Sequence, residues 1–335
     1  MGSVRWGWVI VAVLAAVLVR LPASTTLTMD ADEPIYLAAS IEAGESFRDR
    51  NWSRLSNPRL NPEHPGLVKT LNGIVLTRSP DPQDMIMGLA TVRGLSVMAG
   101  LGAVALAAAV HPLAGLALAT HTIHAKYSSQ GYLESLPMLW MALAMLLGWR
   151  HRHDEQARAW WLVGGCWGAA LAGKWLHGFP GIALLFFLPG WRVRARIVLT
   201  ATAGWILLDP TMWSGPIDSV LQKIELHRAY AEGLTAQTTW TTPLLSLVSG
   251  GPARWHPEVF PVSLDPVWGG LAVVSLWRAR REAFSRYLLA WMAVPLAVMM
   301  IWGTRWPQHT MVLVMPLCLS LSLLRPRSQD SKRSV

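Results

Sequence analysis

Charge is scarce in this chain. Asp, Glu, Lys and Arg make up only 15% of its 335 residues, against roughly a quarter in an ordinary soluble domain. Cysteine is scarcer still: Cys166 and Cys318 are the only two. Both fall inside apolar runs and read as small buried residues, so neither a disulfide framework nor a cysteine metal cluster is in prospect. No segment repeats at a fixed period, which counts against solenoids and the inverted repeats of many transporters. Apart from the tail after Arg325, no stretch has the composition of a disordered region. Acids are fewer than bases, 20 against 29, for a formal net charge of +9. That excess could suggest a nucleic-acid binder, but its placement between apolar runs reads as membrane orientation instead, and no nucleic-acid partner is expected.

What the chain does have is apolar sequence, 52% of it, spread over the whole length. A membrane-crossing helix needs roughly 20 mostly apolar residues. Runs at 6–19, 94–110, 112–125, 136–149, 160–173, 178–189, 197–208, 266–277, 287–302 and 310–324 each read as a span or its apolar heart. The expected fold is therefore all-α and polytopic, with about ten transmembrane helices in a single unit over 1–324 and a basic tail at 325–335. The first span reads as a retained anchor, because Leu21-Pro22-Ala23-Ser24 is a poor cleavage site and spans follow throughout. With Arg5 inside and strict alternation, Arg150, Arg152, Arg158, Arg192, Arg194, Arg196, Arg278, Arg280, Arg281, Arg286, Arg325 and Arg327 all fall on the cytoplasmic side, as short loops require. Both termini are then cytoplasmic. Two long segments, 23–88 and 209–265, face outward from the cell membrane.

The first outer segment carries the densest chemistry. Asp30-Ala31-Asp32-Glu33-Pro34 precedes an apolar stretch that Gly44 would end, which predicts a short helix over about 34–43. An acid at a helix N-terminus is favoured by the unpaired N–H groups and the dipole there and stays ionised at neutral pH, as a general base must. The same residues also serve as a plain N-cap. Further on, Asn61-Pro62-Glu63-His64-Pro65-Gly66-Leu67-Val68-Lys69 opens a short amphipathic segment at 67–76. Lys69 there either snorkels to the interface or holds an anion. The second outer segment offers Asp209, His227, Trp255, His256 and Glu258, with Tyr230 and Trp240 as candidate stacking residues. It reads as a cap over the first, with a surface helix at 217–232 whose Val220, Ile224 and His227 share a side.

In order, these features resemble the C-type-fold glycosyltransferases that use lipid-linked sugars, in particular the dolichyl-phosphate-mannose protein mannosyltransferase and lipid A aminoarabinose transferase group. Asp32-Glu33-x-x-Tyr36 is similar to that group's acidic pair and aromatic, and His64-Pro65-Gly66-Leu67-x-Lys69-x-Leu71 to its His-Pro-Pro-Leu motif, with Gly66 where the second proline would stand. Arg93-Gly94-Leu95-Ser96, Ser128 to Glu134, Ala169 to Lys174, Arg305-Trp306-Pro307-Gln308-His309 and Met315-Pro316 continue the pattern to residue 324. Glu134 stands in place of an aspartate and Gln130 near the usual arginine. The final turn lacks tyrosine, and no large outer domain follows the last span.

The resemblance implies transfer of one sugar from a polyprenyl phosphate to a hydroxyl on a protein or glycolipid at the outer face, with inversion. A phosphate leaves without a strong acid, so such a reaction needs one carboxylate to take the acceptor proton and cations to hold the phosphate. It implies Asp32 as base, with Glu33 orienting a sugar, the acceptor or Asp32. Lys69, Arg93, Lys174 and Arg305 are the implied phosphate holders, and Tyr36, His64, Glu134 and His256 the substrate contacts. No cofactor is implied. Asp30, Asp32 and His64 could alternatively hold a divalent ion, as in the metal-dependent oligosaccharyltransferases. Two other readings stay open: a transporter of lipid-linked sugar, and a non-catalytic lipid-binding relative.

Overall fold

In the computed structural model, residues 6–78, 84–234, 239, 241–302 and 305–324 are described. Arg5, Trp240, the side chain of Tyr230 and the tail from 325 lie outside that set. The described chain is helical, with no strand in it. It begins with α1 (Trp6–Thr26), then the outer helices α2 (Glu33–Arg48), α3 (Trp52–Ser56) and α4 (Leu67–Leu76). The long α5 (Met85–Val110) follows, with α6 (Pro112–Thr120), α7 (Thr122–Tyr127), α8 (Ser135–His151) and α9 (Ala159–Gly173). After α10 (Trp175–Gly178), α11 (Pro180–Leu185) and α12 (Trp191–Leu208) come the outer helices α13 (Pro216–Leu234), α14 (Thr242–Val248) and α15 (Gly251–Trp255). The chain closes with α16 (Asp265–Arg278), α17 (Ala283–Ile301) and α18 (Met311–Leu319).

The protein is an integral membrane protein. Each apolar run of the sequence contains helix, and among the described residues α1, α5 and α17 are long and apolar enough to cross a bilayer by themselves. The others are shorter or interrupted. The run at 112–125 is one such case, since it breaks at His121 between α6 and α7. Two buried side chains take over the backbone groups at the break. The Arg20 guanidinium donates to the carbonyls of Leu118 and Ala119. Asp265 accepts from the Thr122 N–H at 2.9 Å. Non-helical backbone at membrane depth is tolerated only when protein satisfies it in this way.

Small residues draw the helices together. On α9, a Cβ built at Gly164 would lie 2.9 Å from the Ile197 carbonyl, and one at Gly168 would lie 2.5 Å from that of Ala201, so α12 approaches to backbone contact along a glycine pair four residues apart. The outer helices use the same device. A Cβ at Gly44 would meet the Gly73 carbonyl at 2.5 Å, which seats α2 against α4. Gly44 therefore does not stop the helix expected at 34–43. It is the crossing point of a helix that continues to Arg48. Trp160, Tyr287 and Trp291 fill the centre of the bundle, and Cys166 and Cys318 are both free thiols.

Candidate active site

A cavity of about 700 Å³ opens where the two outer segments meet the ends of α10 and α17. Its lining includes Asp30, Asp32, Tyr36, Glu63, His64, Lys126, Tyr132, Lys174, His227, His256, Gln308 and His309, with Trp175, Phe179, Val298 and Trp302 on an apolar side.

Asp32 is the N-cap residue of α2, but its carboxylate caps nothing. It faces the cavity, with Gln308 Nε2 at a long 3.5 Å. Burial lifts its carboxyl above the usual range; Lys174 pulls it back, and Asp30 and Glu63 push it further up. Tyr36 lies one turn along the same helix. Its hydroxyl sits 3.5 Å from His64 Nε2, and its ring packs edge-on against Tyr132. Burial, reinforced by the Lys174 charge, drives the His64 imidazole well below its ordinary pKa, so it stands neutral. His227, on α13, faces His64 at 5.3 Å between ring centroids and is pushed down to about 4 by the same two causes.

Two lysines reach the cavity, each backed by a carboxylate. Lys174 sits at the extended break between α9 and α10 and hydrogen-bonds the fully buried Glu134. Its Nζ lies 5.8 Å from the Tyr36 ring centroid. Glu134 thus stands behind the lysine rather than in the lining. Lys126, at the end of α7, pairs with Asp30 at 2.6 Å and lies over the Tyr127 ring. Burial works against the charge on Asp30, but Lys126 outweighs it and holds the carboxyl below its usual range.

Besides Glu134, four more expected site residues lie outside the cavity lining. Glu33 is fully buried and spent on structure. It receives Arg93 Nε at 2.8 Å and Nη2 at 2.7 Å, and the N–H groups of Gly131 at 2.6 Å and Asp30 at 2.9 Å. Arg93 spends its remaining donors on the carbonyls of Ser24, Leu27 and Thr28, so it holds Glu33 and the end of α1 and leaves none for a phosphate. A desolvated bidentate pair of this kind is a structural clamp. Lys69 is buried outside the cavity lining and donates to the carbonyls of Asn61 at 2.6 Å and His64 at 2.9 Å. Arg305 binds the Met299 and Met300 carbonyls and so caps the end of α17. The remaining expected contact, His256, does line the cavity, 3.4 Å from Glu258. The alternative metal trio does not gather, because Asp30 is held by Lys126; among the described residues no three His, Cys, Asp or Glu side chains converge on a point.

Lys126 is the main residue that sequence reasoning passed over. The sequence carries a signal for it: a lysine at the edge of an apolar run with no acid close in sequence calls for a partner.

The fold and cavity define a polytopic membrane protein with an acid-and-lysine chamber at one end of its helical bundle. No family model and no curated protein matches the chain. Among solved structures it is similar to ArnT from Cupriavidus metallidurans, bound to undecaprenyl phosphate, with a TM-score of 0.59 and 16% identity over 95% of this chain and 60% of that one. The apo form of the same protein gives 0.60 and 16% identity over 98% and 62%. The chain therefore has the ArnT fold, and it spans about three-fifths of the length of ArnT.

Proposed function

We propose that the protein is a glycosyltransferase that moves a sugar from a polyprenyl-phosphate donor to a hydroxyl acceptor at the outer face of the membrane, inverting the anomeric centre. The observation that carries this reading is Asp32. Its carboxylate is withheld from helix capping and turned into a chamber beside Lys174, within a fold shared with ArnT, which has been solved with undecaprenyl phosphate.

In this reading Asp32 accepts the proton of the acceptor hydroxyl as its oxygen attacks the anomeric carbon, and the bond to the phosphate oxygen breaks on the opposite face. Its raised pKa makes it a better base, once deprotonated, than a solvated carboxylate. Lys174 and Lys126 face the phosphate and stabilise the charge it gains on departure. Lysines paired with carboxylates, Lys174 with the buried Glu134 and Lys126 with the part-exposed Asp30, are held in place before the lipid arrives. Neutral His64 and His227 can donate to sugar or acceptor oxygens, and Tyr36 and Tyr132 offer ring faces to a sugar. Trp175, Phe179, Val298 and Trp302 would lead the polyprenyl chain towards lipid. The scheme needs no metal. Positive-inside placement of the arginines supports an outward-facing site with both described ends of the chain cytoplasmic.

The test is incubation of purified protein with radiolabelled polyprenyl-phosphate sugars and candidate hydroxyl acceptors. Release of polyprenyl phosphate together with a glycosylated acceptor is expected. Movement of the intact lipid across a vesicle membrane without cleavage would make the protein a transporter, and binding with neither outcome would make it a scaffold.

A further inference from the structure

Below the cavity the two outer segments are fastened to each other by one buried carboxylate. Asp209 ends α12 and is fully buried. Its Oδ1 accepts from the Thr211 N–H at 3.1 Å and hydroxyl at 2.7 Å, and from the Gly66 N–H at 2.7 Å in the other outer segment. Its Oδ2 has no hydrogen-bond partner. Burying a carboxylate with an oxygen unmatched is costly, so its retention calls for a reason.

The neighbours extend the connection in both directions. Lys223 on α13 donates to Thr211 Oγ1 at 2.8 Å and to Ser219 Oγ at 2.6 Å. Ser219, Lys223 and His227 recur every four residues and so form one stripe of α13. The first two are buried and the third lines the cavity, while Ile217, Leu221 and Ile224 are exposed. On the other side, the turn from Asn61 to Gly66 carries Glu63 and His64 into the cavity. Asn61 there has a left-handed φ of 53°, a conformation that an asparagine tolerates but that needs holding. Lys69 holds the start and middle of this turn by its carbonyls, and Asp209 holds its end by an N–H.

Gly66 explains its own identity. Its φ of −89° is negative, so no left-handed conformation demands glycine here, and a proline stands at this position in the motif the sequence resembles. Proline has no N–H to give Asp209. A side chain would also crowd the clamp, since a Cβ at residue 66 would lie 3.1 Å from both Asp209 Oδ1 and Pro210 Cδ.

We infer that Asp209 is a positioning residue that couples the two outer segments: through Gly66 it sets the turn bearing His64, and through Thr211 and Lys223 it carries α13 and His227, so that the two histidines face each other as one unit. The functional consequence rests on the transferase reading above; the coupling itself does not.

The test uses the full-length protein in lipid nanodiscs, with hydrogen–deuterium exchange read at residues 61–70 and 219–228. Loss of one buried hydrogen bond to a charged group speeds local exchange by about tenfold or more. Asp209→Ala is expected to speed exchange in both segments, and Gly66→Pro at 67–70. Asp209→Asn, whose amide oxygen still accepts, should restore protection at 61–70. Thr211→Val should loosen 219–228 alone. Exchange at 219–228 unchanged in both Asp209→Ala and Thr211→Val would overturn the coupling. So would faster exchange across the whole protein in every variant, which would make Asp209 merely structural. Added undecaprenyl phosphate serves as a separate arm: if the wild type neither binds nor cleaves polyprenyl-phosphate lipids, the transferase reading fails while the exchange result still judges the clamp. Where transfer is measured, Asp209→Ala should lower kcat about tenfold with donor KM within about twofold, because the clamp orients His64 and leaves the lysines in place.

Discussion

The Lys174–Glu134 pair separates what the fold needs from what the chemistry needs. Both groups are almost fully buried, and Lys174 also faces the cavity beside Asp32. Removing one partner strands the other charge in an apolar surround, and such losses run to about 3–5 kcal/mol. Lys174→Met and Glu134→Leu should therefore each unfold at markedly lower temperature in detergent. In the double variant no charge is stranded, and replacing a buried ion pair by apolar residues of similar volume is often neutral. Most of the lost stability should return. Activity should not: without the lysine, the charge developing on the departing phosphate loses a preorganised partner, worth roughly 10²–10³-fold in turnover. Thermal unfolding and release of polyprenyl phosphate, measured on the same preparations, give both readings. A double variant as active as wild type would refute the role of Lys174 in the reaction, and one as unstable as the singles would refute the isolation of the pair.

The pH profile follows from Asp32. A base works only when deprotonated, and burial raises this carboxyl, so kcat/KM should fall as pH drops through a value above the ordinary carboxylate range of about 4. The limb should persist in His227→Gln, since His227 sits near 4 and is neutral at higher pH. Glu33→Gln and Arg93→Met should act on the fold first, lowering thermal stability in proportion to activity, because that pair is buried outside the cavity. Lys126→Gln, in contrast, should raise the donor KM while leaving the unfolding temperature within a few degrees, since its partner Asp30 is part-exposed. Activity should survive chelators, and loss restored by a divalent ion would overturn the metal-free scheme.

The apolar runs were legible because a bilayer imposes its length and composition on any helix that crosses it. The interruption at His121 was not, because it depends on Arg20 and Asp265 arriving from distant parts of the chain to satisfy the freed backbone. The same distinction runs through the site. Asp32, Tyr36, His64 and Lys174, which line the cavity, are marked in the sequence by local patterns: an acid before Pro34, an aromatic one turn later and lone cations beside apolar runs. Glu33 could not be separated from Asp32 by sequence: adjacent residues on a helix start point in different directions, and only packing shows that Arg93 meets one and not the other. Lys69 and Arg305 read as free cations because a sequence does not show which carbonyls a turn exposes to them. Gly44, read as a stop, proved to be a crossing with Gly73, a distinction that rests on a tertiary contact.

The most direct test of the account is single-turnover transfer by wild type and Asp32→Asn, with donor binding measured in parallel. The amide keeps the shape of Asp32 but cannot accept the proton. The variant is expected to bind polyprenyl-phosphate sugar within a few-fold of wild type yet to transfer it slower by about 10²–10⁴-fold. Transfer at the wild-type rate with donor bound would contradict it.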